Sequence, residues 1–189
     1  IQSAFASLDE ALNEWETFQA AVICTPAHCH VPMARQLTER GLGLLIEKPL
    51  STSQEGLEEL DHLTTAQGLA VSVAYVYRHN PALLAMKAAL DAGRFGRPVQ
   101  IVVTSGQHFP FYRPAYPEIY YNNRTTGGGA IQDALTHLMN AGEWLVGPVT
   151  RLLADAAHCV LEGVTVEDTV HVLTRQGGGL NSEGMTEQH

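Results

Sequence analysis

A lysine and an acid follow directly on a short apolar run. In LLIEKPLSTS, residues 44–53, the apolar stretch ends at Glu47, Lys48 and Pro49. Proline at 49 disfavours helical backbone at Lys48, so the lysine is predicted to extend from a strand tip instead of beginning the next helix. A lysine held there can reach a substrate. A solvated strand end terminated by proline accounts for the same pattern, and spacing alone slightly favours that interpretation.

A second candidate lies in GGGAIQDALTHLMNAGEWLVG, residues 127–147. Asp133 and His137 are four residues apart on a predicted helix and therefore share a face, which Asn140 and Trp144 continue. An acid one turn from an imidazole can orient the ring for proton transfer near neutral pH. An exposed ion pair is the alternative. The three preceding glycines favour the catalytic interpretation, because they permit close backbone approach at the start of the helix.

Two further groups carry weaker signals. Cysteine and histidine alternate near the end of the first predicted strand, but no second ligand cluster has zinc-like spacing, so no metal site is predicted. The residues concerned are Cys24, His28, Cys29 and His30. An aromatic loop is consistent with either a substrate pocket or an oligomer contact, and the sequence does not decide between them. Its members are Phe109, Phe111, Tyr112, Tyr116, Tyr120 and Tyr121.

The first half of the chain alternates strands and helices. A capping-box pattern at Ser7 opens a short helix, and strands are predicted over 20–25, 42–47 and 69–76, with helices from about 30 to 41 and 53 to 68 between them. Two successive crossovers imply a parallel sheet. Because ligands bind beyond the carboxyl ends of such strands, Thr25-Pro26 and Glu47-Lys48-Pro49 are expected at one functional edge.

The pattern changes after Arg78. Asn80 and Pro81 begin a helix that ends at Gly93, and 98–105 is predicted as a strand. A long loop, a helix over about 130–145 and strands near 149–160 and 168–174 follow. The predicted fold class is α/β: a partial Rossmann-type parallel sheet in residues 1–77, followed in 78–189 by an α+β domain with a mostly antiparallel sheet.

Charge and cysteine content exclude several classes of function. Twenty acidic and eleven basic residues give a net charge of -9, which disfavours nucleic acid and anionic membranes as partners. Three cysteines without a paired framework indicate a reducing compartment, and with no signal peptide or membrane span in the sequence, a cytoplasmic location is expected. Because the sequence starts at Ile1 and ends in a polar stretch, a fragment truncated at both ends is also expected.

Three segments in this order and at these separations resemble one family. AAVICTPAHCHVPMARQLTERGLGLLIEKPLS, YRHNPAL and GGGAIQDALTHLMNAGEWLVG are similar to the glucose-fructose oxidoreductase / inositol dehydrogenase (Gfo/Idh/MocA) family of NAD(P)-dependent oxidoreductases. The resemblance spans about residues 6–174. It implies a dinucleotide-binding domain, a substrate domain whose sheet often forms the oligomer interface, and hydride transfer between nicotinamide and a hydroxylated substrate.

The resemblance also assigns site residues. Lys48, Asp133 and His137 match the family's catalytic residues, with His137 expected to take the hydroxyl proton and Lys48 to hold the oxygen; the two roles are interchangeable. Matches to cofactor-binding positions are Thr25, Pro26, His30, Glu47, Lys48, Pro49 and Arg78. Ala27 stands where the family usually has Asn, and Ala134 to Thr136 depart from its commoner small, glycine-containing spacing.

The choice between NAD and NADP is left open by the sequence. It contains no Gly-x-Gly-x-x-Gly motif and no assignable ribose-binding acid, and these are expected upstream of Ile1. Two other functions stay open beside dehydrogenation of a sugar, polyol or cyclitol. One is a glycosidase that oxidises its substrate transiently, and the other is a regulatory homologue without catalysis.

Overall fold

The computed structural model of the chain describes residues 3–177, apart from the side chains of residues 15–17. Its backbone divides into two compact units. The first contains the described residues up to 74 together with 124–127, and the second contains 75–123 and the residues from 128 onward. The first unit is α/β and the second is α+β, as the sequence predicts.

A three-stranded parallel sheet forms the first unit. Its strands β1, β2 and β3 are Ala20–Ile23, Gly43–Ile46 and Val71–Val73. They lie side by side in chain order, with Ile23 opposite Ile46 and Ile46 opposite Val73. The prediction of parallel pairing through two crossovers is therefore confirmed.

Among the described residues, three α-helices accompany this sheet: α1 (Leu8–Ala11), α2 (His30–Thr38) and α3 (Leu57–Gln67). Ser7 caps α1, since its hydroxyl accepts a hydrogen bond from the Glu10 backbone N–H at 3.2 Å. The helix α3 begins later than the predicted Ser53. The hydroxyls of Ser51 and Ser53 accept hydrogen bonds from backbone N–H groups two residues ahead, and these local bonds compete with helix formation.

The core of the first unit lies between the sheet and its helices. Ile23 and Ile46 are 2% and 0% exposed, and Ala34 of α2 is 0% exposed. Leu37 and Leu60 bring α2 and α3 onto the same cluster. The strands are short, so this packing of apolar side chains is what fixes the sheet and its carboxyl edge in place.

The second unit combines helices with a two-stranded antiparallel sheet. Its helices are α4 (Pro81–Asp91), α5 (Phe109–Tyr112) and α6 (Thr136–Val146), and its strands are β4 (Val149–Ala157) and β5 (Thr169–Gln176). Asn80 caps α4, as predicted, by accepting hydrogen bonds from the N–H groups of Ala82 and Leu83. The predicted strands near 149–160 and 168–174 are confirmed as an antiparallel pair.

The predicted strand over 98–105 is wrong. This segment has no regular secondary structure, and Val99 and Val102 in it are 90% and 75% exposed. Its β-branched residues favour extended backbone, but such a preference makes a strand only when a partner supplies the ladder and covers a face. Within residues 3–177, the structure pairs only β4 with β5 in this unit.

Over the same residues, no helix is both long enough and apolar enough to cross a bilayer.

Candidate active site

The carboxyl edge of the parallel sheet holds the polar residues that the sequence placed there. Beyond β1 and β2, the Glu47 backbone N–H still donates to the Ile23 carbonyl at 2.9 Å. Lys48 follows at once, and its backbone N–H donates to a carboxylate oxygen of Glu47 at 3.1 Å. Glu47, Lys48 and Pro49 are all half-buried. The ladder thus extends to Glu47, and the Glu47 carboxylate holds the backbone of Lys48 in a partly enclosed position.

His30 joins the loops that follow β1 and β2. Its ring is 1% exposed, with Nδ1 2.9 Å from the Pro49 carbonyl oxygen and Nε2 2.8 Å from the Thr25 carbonyl oxygen. Both partners are acceptors, and a neutral imidazole donates through only one nitrogen. A neutral ring therefore donates to one of these two carbonyls. Both described contacts of His30 are with the protein backbone, and its predicted contact with a cofactor stays a prediction.

The candidate proton-transfer segment of the second unit begins with an irregular turn. A continuous α-helix was predicted from about residue 130, but Ile131–Leu135 forms a π-helical turn before α6 starts at Thr136. Asp133 lies inside this turn, and His137 is the second residue after it. π-Helical turns are rare and are frequent at functional sites, because the extra residue re-aims the side chains around it.

Asp133 is held in a polar network that the sequence did not reveal. It is 6% exposed and accepts a hydrogen bond from the Tyr120 hydroxyl at 2.9 Å. Arg113 Nη1 donates to that hydroxyl at 2.8 Å and lies 3.8 Å from the Asp133 carboxylate. Burial, and next the charge of Asp133, raise the pKa of Tyr120, so this phenol stays protonated as the donor. The same two causes, in the same order, raise the pKa of Tyr121 to about 12.

The face of α6 predicted to be polar packs against residues 75–79. The His137 ring lies between two tyrosines, 6.1 Å from the Tyr75 ring centroid and 5.4 Å from that of Tyr77. Arg78 Nε donates to Asn140 Oδ1 at 2.8 Å, and its guanidinium carbon is 5.9 Å from the Trp144 ring centroid. Within this unit, Arg78 thus binds α6, and its predicted contact with a cofactor stays a prediction.

The aromatic loop divides into three groups. Phe109, Tyr116 and Tyr121 are at most 8% exposed and form a small core with Leu161, Val164 and Val166. Tyr120 reaches Asp133, whereas Phe111 and Tyr112 are 74% and 65% exposed. The pattern of aromatic residues alone did not distinguish a core role from a site role, because both use the same residue types.

The predicted catalytic residues lie in different units. Lys48 is in the first, and Asp133 and His137 are together in the second. That all three act on one substrate stays a prediction. Sequence reasoning missed two residues: Arg113, which donates to the Tyr120 hydroxyl seven residues later, and Glu167, whose carboxylate accepts from the Ile131 N–H 36 residues earlier. No group of three His, Cys, Asp or Glu side chains suited to a metal ion occurs in the part of the chain that the structure describes.

Models of one protein family match both units. Residues 1–75 match "Oxidoreductase family, NAD-binding Rossmann fold", and residues 83–184 match "GFO/IDH/MocA C-terminal domain". The chain belongs to the Gfo/Idh/MocA oxidoreductase family. Both the resemblance and the fold class expected from the sequence are thereby confirmed.

Individual relatives agree with this assignment. Inositol 2-dehydrogenase 1 of Saccharopolyspora erythraea is 29% identical over 185 residues, covering 87% of this chain and 51% of the relative. The WlbA dehydrogenase of Bordetella pertussis, solved in complex with NADH and UDP-GlcNAcA, is 27% identical with a TM-score of 0.74, over 90% of this chain and 49% of that one. An NAD-binding oxidoreductase of Klebsiella pneumoniae is 25% identical with a TM-score of 0.81, over 92% and 48%. The chain thus spans about half the length of these relatives.

Proposed function

We propose that this chain contributes the catalytic residues of an NAD-dependent dehydrogenase that oxidises a secondary alcohol. The observation that carries the proposal is Lys48, half-buried at the carboxyl end of β2 in a sheet that matches an NAD-binding family model. Ligands bind at this edge of open parallel sheets. The other candidate residues of the site, Asp133 and His137, lie on the helical segment of the second unit.

The residues at the sheet edge suit the nicotinamide end of NAD. Thr25 and Pro26 follow β1, and Glu47, Lys48 and Pro49 follow β2, so both strand ends offer polar backbone and side chains at the same edge. We expect these five residues to hold the nicotinamide half. The sequence has no glycine fingerprint for the pyrophosphate, and the proposal assigns residues to the nicotinamide half alone. The family model names NAD, and a preference over NADP is part of the proposal.

Bound nicotinamide supplies the acceptor for the hydride that leaves the alcohol carbon. His137 takes the hydroxyl proton, because an imidazole begins near neutral pKa and needs little adjustment to act as a base. Lys48 donates a hydrogen bond to the same oxygen and stabilises its developing negative charge. The products are a ketone, the reduced nicotinamide and protonated His137. Asp133, fixed by Tyr120, orients the imidazole or binds a second hydroxyl of the substrate.

A polyol, cyclitol or sugar is the proposed substrate class. The supporting observations are that one relative is an inositol 2-dehydrogenase and that a structural neighbour binds NADH together with a UDP-sugar. Several hydroxyl groups on one substrate would also offer partners to the side chains that the proposal assigns, Lys48, His137 and Asp133. Each of these side chains forms hydrogen bonds with alcohol oxygens.

Substitution of the two basic residues tests the proposal. We expect Lys48→Ala and His137→Ala, each in the full-length protein, to lower kcat by about 10²- to 10⁴-fold, the range for losing a group that stabilises developing negative charge or a general base. Turnover is followed as NADH absorbance with a panel of inositols and sugars, and NADP is tried in parallel. The controls are Lys87→Ala, which removes a lysine that pairs with Asp91 on α4, and His62→Ala, which removes a histidine 78% exposed on α3.

Three results would remove the proposal or replace it. Full turnover in both variants would reject the roles of Lys48 and His137. Release of a reducing sugar without net NADH would indicate the glycosidase alternative. NAD binding, titrated by fluorescence, without turnover of any substrate would indicate the regulatory alternative.

Self-association is a further part of the proposal. Leu153 and Leu173 face each other across the β4–β5 ladder and are 70% and 71% exposed. An apolar cross-strand pair on an open sheet face favours burial against another surface. We expect a homo-oligomer, as the family resemblance implies, and sedimentation velocity of the wild type and of Leu153→Lys measures it. A monomer in the wild type would contradict the expectation.

A further inference from the structure

We infer that Glu167 is a positioning residue that fixes the start of the helical segment carrying Asp133 and His137. It touches neither residue in the described contacts, and it acts through the backbone of residues 129–131. Its consequence for catalysis rests on the proposed function, whereas its structural consequence does not. Glu167 lies just before β5 and is 8% exposed, which is unusual for a carboxylate and requires compensating partners.

Two backbone N–H groups at the start of the segment find their acceptors on Glu167. The Ala130 N–H donates to the Glu167 carbonyl oxygen at 2.8 Å, and the Ile131 N–H donates to Glu167 Oε1 at 3.1 Å. The first N–H groups of a helical segment have no partner within it. Glu167 thus satisfies two consecutive donors, one with its backbone and one with its side chain.

The glycine at position 129 is explained by the same carboxylate. A Cβ at Gly129 would lie 2.5 Å from Glu167 Oε1 and 2.7 Å from its Cδ, closer than real Cβ atoms approach other heavy atoms. Gly129 also has a φ of +94°, which side-chain-bearing residues rarely adopt. The carboxylate therefore occupies the space that a side chain at 129 would fill.

These contacts are linked directly to the candidate catalytic residues. The Asp133 N–H donates to the Gly129 carbonyl oxygen at 2.9 Å, one turn after the anchored residues. A shift of residues 129–131 therefore moves Asp133 against its Tyr120 partner, and His137 follows one turn later. A negative charge at this end of the segment is also favourable to the helix dipole.

Variants that separate the length of the Glu167 side chain from its negative charge test this inference. Glu167→Gln keeps the length and the carbonyl acceptor but loses the charge, whereas Glu167→Asp keeps the charge but withdraws the acceptor by one methylene. Glu167→Ala removes both, and Glu162→Ala is the control, because Glu162 is an exposed acid in the same connection. All are made in the full-length protein. Hydrogen–deuterium exchange of peptides covering 129–135 is measured beside kcat and KM.

If the length of the side chain at position 167 is what positions residues 129–135, Glu167→Gln should have a smaller effect than Glu167→Asp. In the Asp and Ala variants, we expect hydrogen–deuterium exchange over 129–135 to become about tenfold faster or more. We expect kcat to fall about 10- to 100-fold with KM for NAD unchanged, because a small misplacement of reacting groups lowers the rate of the chemical step. The Gln variant should keep kcat within about fivefold and exchange near the wild type. A purely structural role would instead lower thermal stability without separating kcat from KM.

The inference is overturned if Asp is as good as or better than Gln, or if exchange over 129–135 in the Asp variant matches that of Glu162→Ala. The Asp and Gln variants decide the matter even if Ala does not fold. A wild-type protein without dehydrogenase activity would reject the proposed function alone, since the exchange measurement would still test the role of Glu167.

Discussion

The two units place their candidate catalytic residues by different means. In the first, Lys48 and Thr25 follow parallel strands, and the ladder itself sets where those strands end. In the second, Asp133 depends on Tyr120 and on the backbone anchored by Glu167, which lie 13 residues before it and 34 residues after it. A site residue at a strand end is thus placed by local pattern, whereas one in an irregular helical turn is placed by contacts distant in the chain.

The difference predicts where each unit is vulnerable. In the first, loss of one side-chain contact should loosen a loop but leave the sheet register intact, because the buried core around Ile23 and Ile46 holds the strands. In the second, the backbone that leads into the helical turn of Asp133 contains Gly128 and Gly129, and neighbouring atoms leave no room for a side chain at either glycine. Damage there should spread to the whole segment.

The largest effect is expected from Gly128→Ala. A Cβ at this position would lie 2.2 Å from the carbonyl oxygen of Tyr121 and 2.7 Å from that of Asn123. Both are backbone atoms and cannot rotate away, so we expect a loss of about 3 kcal/mol in unfolding free energy, at the upper end for overpacking. Urea denaturation measures it.

Gly106→Ala is the matched control, because a Cβ added at this glycine would meet no other heavy atom within 4 Å. It should change the unfolding free energy by less than about 0.5 kcal/mol. Equal stability of the two variants would mean that the glycine run merely provides flexibility, and the contrast between the units would lose its main support.

Much of the first unit was predictable from the sequence, because its elements follow local periodicity and end at or shortly before glycines: α3 ends directly before Gly68, and α2 ends three residues before Gly41. The parallel pairing and the polar carboxyl edge followed from two crossovers, whereas the strand order is known only from the structure. The failures lie where tertiary contacts decide. Residues 98–105 have strand-forming composition but no ladder, and the π turn at 131–135 has no signature in a 3.6-residue period.

The candidate site was predictable to a similar extent. Lys48, Asp133 and His137 came from motif and resemblance, but the partners of Asp133 did not. Tyr120 is one of six aromatic residues in its loop, and only the fold shows that its hydroxyl donates to Asp133. Glu167 accepts a hydrogen bond from the Ile131 N–H, which is 36 residues away in the chain, so no local pattern in the sequence links the two residues.

A smaller, pH-dependent effect is expected at Asp168. Burial opposes its ionisation, but backbone N–H groups of Leu161, Val160 and Cys159 donate to its carboxylate and, with the Thr169 hydroxyl, lower the pKa of Asp168 to about 2. Its side chain is 5% exposed. Because the pKa is lower in the folded state, this stabilisation is complete above the unfolded pKa near 4 and is lost as pH falls toward 2.

Asp168→Asn should therefore lower the unfolding free energy by about 2 kcal/mol at pH 7 and much less at pH 2. Thermal unfolding across this pH range measures the difference from wild type. Asp155→Asn, an exposed position on β4, is the control and should show little change at any pH. A loss of stability in Asp168→Asn that is constant with pH would mean that the shape of the side chain, and not its charge, stabilises the connection 158–168.

The smallest effect is expected at His30, which tests the contrast from the side of the first unit. His30→Asn retains a donor near the Nδ1 position facing Pro49, and His30→Gln retains one near the Nε2 position facing Thr25. A neutral ring donates to only one of these two carbonyls, so the variant that loses this donor should cost about 1 to 1.5 kcal/mol and the variant that keeps it should cost less, while His28→Ala at an exposed neighbour costs almost nothing. Hydrogen exchange should rise in residues 47–52 and stay slow in β2, because the ladder is intact. Faster exchange throughout β2 would show that the sheet edge also depends on a distant side-chain clamp, as the helical segment of the second unit does.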